Sequence, residues 1–141
     1  MEDFLRLPYF IYQDCQQYVP DLESDIRDLF DQRKNPAYSF SEIQPFVAYR
    51  NDVCVGRIVG IINRKANEKW KTRNVRFSMI EFINDLNVSK ALIEAVSQWG
   101  QSKGMEAIHG PLGITDFDKE GMLVEDFHLT GSMNTIYNPD Y

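Results

Sequence analysis

The apolar positions along this chain change period several times, and each change marks an element. Phe4, Leu7, Ile11 and Tyr12 recur at helical spacing and predict a short helix over Asp3–Tyr12, with Asp3 as N-cap and Pro8 as its least suitable residue. Leu22, Ile26, Leu29 and Phe30 repeat the spacing after Pro20 and predict a second helix ending near Phe30. Residues 31–41 read as a loop broken by Asn35-Pro36. The period then falls to two. Phe46–Tyr49 and Val53–Ile62 are rich in β-branched and aromatic residues and flank Asn51-Asp52, which predicts an antiparallel hairpin. The charged stretch Asn63–Asn74 fits either a long loop or a frayed helix. Val75–Ile83 reads as a third strand. Strict alternation puts Val75, Phe77, Met79, Glu81 and Ile83 on one face and Arg76, Ser78, Ile80 and Phe82 on the other.

The firmest pattern comes next. Val88, Ala91, Leu92, Ala95, Val96 and Trp99 form one apolar stripe between Asn87, the expected N-cap, and Gly104, the expected C′ residue. Such a stripe packs on a sheet. Ala107–Gly110 then predicts a short strand, returning parallel to the strand before the helix. Strand and helix meet at Asn84-Asp85-Leu86-Asn87. A helix N-terminus there presents free N–H groups and the positive end of the dipole to an anion. The joint has no glycine, however, and glycine is what lets a phosphate come close to the backbone. Residues 111–141 are rich in Gly, Asp, Asn and Pro, with one apolar patch at Met122–Val124. No repeat or composition shift divides the chain, so residues 1–141 are expected to form a single domain.

Composition narrows the classes. A chain of 141 residues with 43% hydrophobic and 13% aromatic content can bury a core and is not disordered. A net charge of −6 argues against non-specific nucleic-acid binding, which needs clustered cations. The local group Arg64, Lys65, Lys69, Lys71, Arg73 and Arg76 reads as a solvated loop and strand edge, or else as a contact for an anionic partner. Cys15 and Cys54 lie too far apart in sequence to suggest a zinc site or a disulfide scaffold, and Cys54 is expected to be buried in its strand. The first residues do not resemble a signal peptide, and no apolar run is long enough to span a bilayer. The expected setting is the reducing cytoplasm, with no membrane or nucleic-acid partner.

Few residues suggest chemistry. Asp116, Asp118 and Glu120 before Gly121 imitate the start of a calcium loop, but Phe127 stands where the closing bidentate carboxylate belongs, so no metal is expected. His109 and His128 are the only histidines, and nothing puts either beside a nucleophile. No nucleophile elbow, P-loop or dinucleotide fingerprint occurs. Glu81 has two readings. On a covered face its carboxyl would have a raised pKa and could serve as a base; near an uncovered strand end it would be a hydrated bystander.

The element order, and the residues filling it, resemble the GNAT superfamily of N-acetyltransferases, and more closely a poorly characterised bacterial GNAT-like family. The resembling segments are Phe4–Cys15, Val55–Glu68, Phe77–Trp99 and His109–Phe127, the last followed by Ile136–Tyr141. The resemblance implies an α+β fold with a mixed, mostly antiparallel sheet flanked by helices. It implies acetyl-CoA held in a splay between two strands, with acyl transfer to a small-molecule amine or a protein acceptor. Carried onto this chain, Glu81 is the expected base and Met79 and Ile80 the strand backbone that polarises the thioester. Leu86, Asn87 and Val88 become the pyrophosphate donors, although the family's Q/R-x-x-G-x-G/A pattern is absent from Asn84–Val88. The family pattern also has a strand before the first helix and further elements after the last, so the chain is expected to be a central piece, truncated at both ends. An incomplete sheet would expose an edge and favour homo-oligomers. An acyl-CoA-dependent N-acyltransferase, a non-catalytic ligand- or protein-binding module, and a structural half-domain all remain open.

Overall fold

The computed structural model describes residues 1–132 and 135–141. Helices α1 (Glu2–Ile11) and α2 (Glu23–Phe30) lead through a short 3-10 turn, Pro36–Ser39, into β1 (Ser41–Arg50) and β2 (Val53–Asn63). Helix α3 (Arg64–Trp70), strand β3 (Asn74–Phe82), helix α4 (Leu86–Ser102) and strand β4 (Ala107–His109) complete the order. The sheet runs β1-β2-β3-β4. Its first two pairs are antiparallel, and β4 lies parallel to β3, as a tight return from α4 requires.

Most elements form where the periodicity put them, and the differences have local causes. Helix α1 starts one residue early, with Met1 as N-cap, so Asp3 lies in the first turn and accepts a hydrogen bond from the Tyr49 hydroxyl at 2.6 Å. Strand β1 extends back to Ser41 through Pro45, which an edge strand tolerates because its outward N–H needs no partner. Residues 63–74 hold a short helix capped by the Asn63 side chain, which accepts from the Ala66 N–H at 2.9 Å. Cys54, expected to be buried, is half-exposed beside the turn of the hairpin. Gly104 takes the left-handed conformation that ends α4, with φ of 80°.

The central strand β2 is buried on both faces, and the two faces are filled differently. On one, α4 presses Val88, Leu92 and Val96 against Val55, Ile58, Ile62 and Val75. Fully burying each such side chain stabilises the fold by roughly 1.5–3 kcal/mol. The helix comes close because glycine stands at two contact points. A Cβ on Gly56 would fall 2.8 Å from the Val88 side chain, and one on Gly100 2.6 Å from that of Val75. On the other face α1, α2 and residues 111–132 and 135–138 cover Val59 and Ile61, with Phe4, Leu5, Ile26 and Ile114 as the buried apolar contacts.

Candidate functional site

A one-residue irregularity in β3 decides what faces the site. Ser78 pairs with Val59 and Glu81 with Arg57, so Met79 and Ile80 together oppose Ile58. Met79 adopts φ of 48°, the left-handed backbone of a β-bulge. A bulge inserts one residue and moves everything beyond it to the opposite face. Strict alternation would set Met79 and Glu81 with Val75 and Phe77 against α4. Instead Phe77, Ile80 and Phe82 pack with α4, while Met79 joins the α1–α2 cluster. Glu81 follows its pairing partner Arg57 to that same side.

Glu81 there is neither hydrated nor alone. Its side chain is 10% exposed and accepts from Nε of Arg57 at 2.6 Å, with the Arg57 side chain 6% exposed. Burial raises the Glu81 pKa, while the Arg57 charge and hydrogen bond, and then the Tyr12 hydroxyl, act to lower it. The position of Arg57 has its own cause in the sequence. Pro8 has no N–H, so the Phe4 carbonyl one turn back in α1 lacks its helical donor. Arg57 Nη1 supplies it at 2.8 Å, and the guanidinium lies 4.7 Å from the centre of the Phe4 ring. Tyr12 stacks on Tyr18 at 3.9 Å nearby, and burial followed by the Glu81 charge pushes both phenols well above their ordinary range. Neither Arg57 nor this tyrosine pair stood out in the sequence. The proline inside a helix was the only local signal that a donor was needed.

The ion pair opens into a cavity of ≈ 290 Å³ between the sheet, α2 and residues 111–132 and 135–138. Ser78, Met79, Ile80 and Glu81 line its sheet side. The same stretch of β3 also loses its outer neighbour. Strand β4 pairs only from Asn74–Ala107 to Arg76–His109, after which the Leu112 N–H bonds the Phe77 carbonyl at 2.8 Å. Among the described residues no strand pairs with the β4 side of Ser78–Phe82, where the Tyr141 hydroxyl donates to the Phe82 carbonyl at 2.6 Å. A bulge on one side and the end of β4 pairing on the other coincide beside a buried carboxyl.

The helix N-terminus is arranged differently from expectation. Asp85, not Asn87, is the N-cap of α4: its carboxylate accepts from the Asn87 N–H at 2.8 Å and from Arg50 at 2.6 Å. The Arg50 hydrogen bond and then the Asn87 backbone hold Asp85 below the usual carboxylate range. The Val88 N–H is bonded to the Asp85 carbonyl at 3.0 Å and its side chain is buried. Leu86 is 75% exposed and opens the helix. Two of the three expected pyrophosphate donors are therefore occupied by Asp85, whose charge also repels an anion. A pyrophosphate does not fit this joint as it stands.

The other candidates stay apart. His109 and His128 are both exposed. Asp118 folds back onto the Thr115 N–H at 2.7 Å, and among the described residues no three metal-ligating side chains converge. The cations of residues 64–76 are dispersed. Arg64 pairs with Glu42 and Arg73 with Glu106, Lys65 and Lys69 lie over Phe40 and Trp70, and Arg76 donates to the Gly113 carbonyl. No described helix is long and apolar enough to cross a membrane.

No protein-family model matches the sequence. Protein YghO of Escherichia coli (strain K12) is 30% identical over 127 residues, which are 90% of this chain and 32% of that protein. The bacterial ceramide synthase of Caulobacter vibrioides (strain NA1000 / CB15N) is 25% identical over an alignment of 142 positions, covering 100% of this chain and 37% of the synthase. The chain thus spans about a third of the length of these curated relatives. Among solved structures, an aminoglycoside acetyltransferase from an uncultured soil metagenomic sample, in complex with sisomicin, superposes with a TM-score of 0.50. That match covers 77% of this chain and 66% of the other at 18% identity, a likeness of fold alone. The fold is α+β and GNAT-like, a mixed four-stranded sheet flanked by helices.

Proposed function

We propose that this chain carries the acyl-transfer site of a GNAT-like N-acyltransferase, with Glu81 as the general base and an acyl thioester such as acetyl-CoA as donor. The observation that carries this reading is the buried Glu81 carboxyl at a cavity, beside the stretch of β3 where bulge and splay coincide. Glu81 removes a proton from the incoming ammonium, directly or through one water. The amine nitrogen bonds to the thioester carbonyl carbon, the carbon–sulfur bond breaks, and the thiolate leaves to be reprotonated. A carboxyl raised by burial is better matched to that proton than an ordinary one. Backbone N–H groups near Met79 and Ile80 are the proposed partners of the carbonyl oxygen as charge develops on it. Leu86, Asn87 and Val88 drop out of this proposal in their pyrophosphate role, because Asp85 already uses two of their N–H groups. A solved acetyltransferase of similar fold agrees with the acyl-transfer part of the reading.

Thiol release from acyl-CoA in the presence of a panel of amines tests it. Glu81→Gln is expected to reduce the rate by about 10²–10⁴-fold while the protein stays folded. A folded Glu81→Gln protein as active as the parent removes Glu81 from the chemistry. A second reading, a non-catalytic GNAT-like module that binds a ligand or protein, is favoured by the Asp85 cap. Ligand binding without thiol release in the parent protein would establish it.

A further inference from the structure

We propose that the cavity beside Glu81 selects an acceptor amine with an aliphatic body, its ammonium held among carboxylates and its hydrocarbon on the sheet. The chemistry done on that amine rests on the acyl-transfer reading, but the binding does not.

Three observations converge. The wall is hydrocarbon: Ile26, Leu29, Ile43, Val59, Ile61 and Met79 face the space from α2 and all three antiparallel strands. Such a wall gains from covering methylenes, while the polar side chains of the lining, Thr135, Tyr137 and Asn138 among them, come from the segment after β4 that faces it. The charge is the second point. Four carboxylates, Asp21, Asp25, Glu81 and Asp118, line the cavity against two cations, Arg57 and Lys119. Both cations are already engaged, Arg57 with Glu81 and Lys119 with Asp21, each at 2.6 Å. Asp25 and Asp118 have no lining cation as partner, so the cavity favours a positive ligand and opposes a negative one. Size is the third. A cavity of ≈ 290 Å³ sits at the small end of ligand sites and suits one extended chain better than a many-ringed body.

Polarity also runs in the right direction. Ile26, Val59 and Ile61 are almost fully buried, whereas Asp25 and Asp118 are exposed at the rim, and the Lys119–Asp21 pair bridges the segment after β4 to the turn before α2. An aliphatic amine meets carboxylates as it enters, covers hydrocarbon as it seats, and finds one buried carboxyl at Glu81. The proposed acyl transfer then turns it into an uncharged amide, which loses the attraction of Asp25 and Asp118 and leaves more readily.

The test is calorimetric titration of the full chain with primary alkylamines of rising length, from butylamine to decylamine. Octanoate and sisomicin serve as probes of charge and of polarity. Each added methylene is expected to tighten binding roughly fourfold until the cavity is full. Octanoate is expected to bind at least about tenfold more weakly than octylamine, and Asp25→Lys to weaken octylamine several-fold with the fold unchanged. Leu29→Trp, which fills the cavity from a half-exposed position on α2, is expected to flatten the dependence on chain length. A flat series in the parent protein, octanoate binding as well as octylamine, or no amine binding by the folded chain would each overturn the proposal. Thiol release with sisomicin and none with octylamine would overturn it too, while leaving acyl transfer intact. Octylamine binding without thiol release would do the reverse.

Discussion

The two faces of this sheet use the same strands for different purposes. The α4 face is closed by aliphatic side chains brought together at glycines, and among the described residues the buried charged pair, Arg57 with Glu81, lies on the other face. The α1–α2 face holds a buried ion pair, a carbonyl freed by a proline, and a cavity. Close packing of hydrocarbon gives stability without specific chemistry. Buried charge does the opposite: it costs desolvation, and it creates a carboxyl whose pKa has moved. One face holds the fold together, and that rigidity lets the other keep an expensive group in place.

Perturbing each face shows how separable they are. Arg57→Met is expected to have the largest effect, about 3–5 kcal/mol lost at neutral pH, because it leaves Glu81 buried without its counter-charge. The Phe4 carbonyl loses its donor in the same step. Denaturant unfolding measures the loss, and replacing both partners by apolar residues of similar size is expected to recover most of it. The pH dependence has a definite sign. Glu81 titrates above its ordinary 4.5 because of burial, so its contribution to stability is full below that value and is lost as pH rises through the raised one. Without Arg57 the pKa rises further, and the cost of Arg57→Met is expected to shrink in acid. An equal cost at both ends of the range would mean that Glu81 is not the group responsible.

On the α4 face, Leu92→Ala is expected to cost about 3 kcal/mol with no dependence on pH, since it removes only packed hydrocarbon. A loss that varies with pH would connect the faces more tightly than their separate clusters indicate. Gly100→Ala tests the close approach from the other direction. Its new Cβ meets the Val75 side chain, and overpacking of this kind costs about 1–3 kcal/mol, read as a lower melting temperature. A neutral result would mean that α4 can move off the sheet at little cost. The smallest expected change is Asp85→Ala, about 1 kcal/mol for the lost cap. It also frees the Asn87 N–H and removes the negative charge, so it is expected to tighten any binding of acyl-CoA, measured by titration. Weaker acyl-CoA binding in this variant would show that the cap supports the donor site instead of obstructing it.

Periodicity alone located all four strands, helix α4 and the parallel return of β4, because burial repeats at the period of each element and can be read locally. It also singled out Glu81 as the carboxyl in an apolar strand and marked Pro8 as out of place. What it could not show was the face to which Glu81 belongs. That depends on Met79 taking a left-handed backbone against Ile58, a pairing between residues distant in the chain. Nor could it pair Arg57 with Glu81 and with the carbonyl that Pro8 leaves free, since those partners come from three separate elements. Nor could it show that α4 is capped by Asp85, which Arg50 engages by reaching across from the hairpin, in place of the expected Asn87. Element type follows from the order of residues because it is a local balance of burial and backbone preference. The site follows from strand register and from long-range partners, which exist only once the chain is folded.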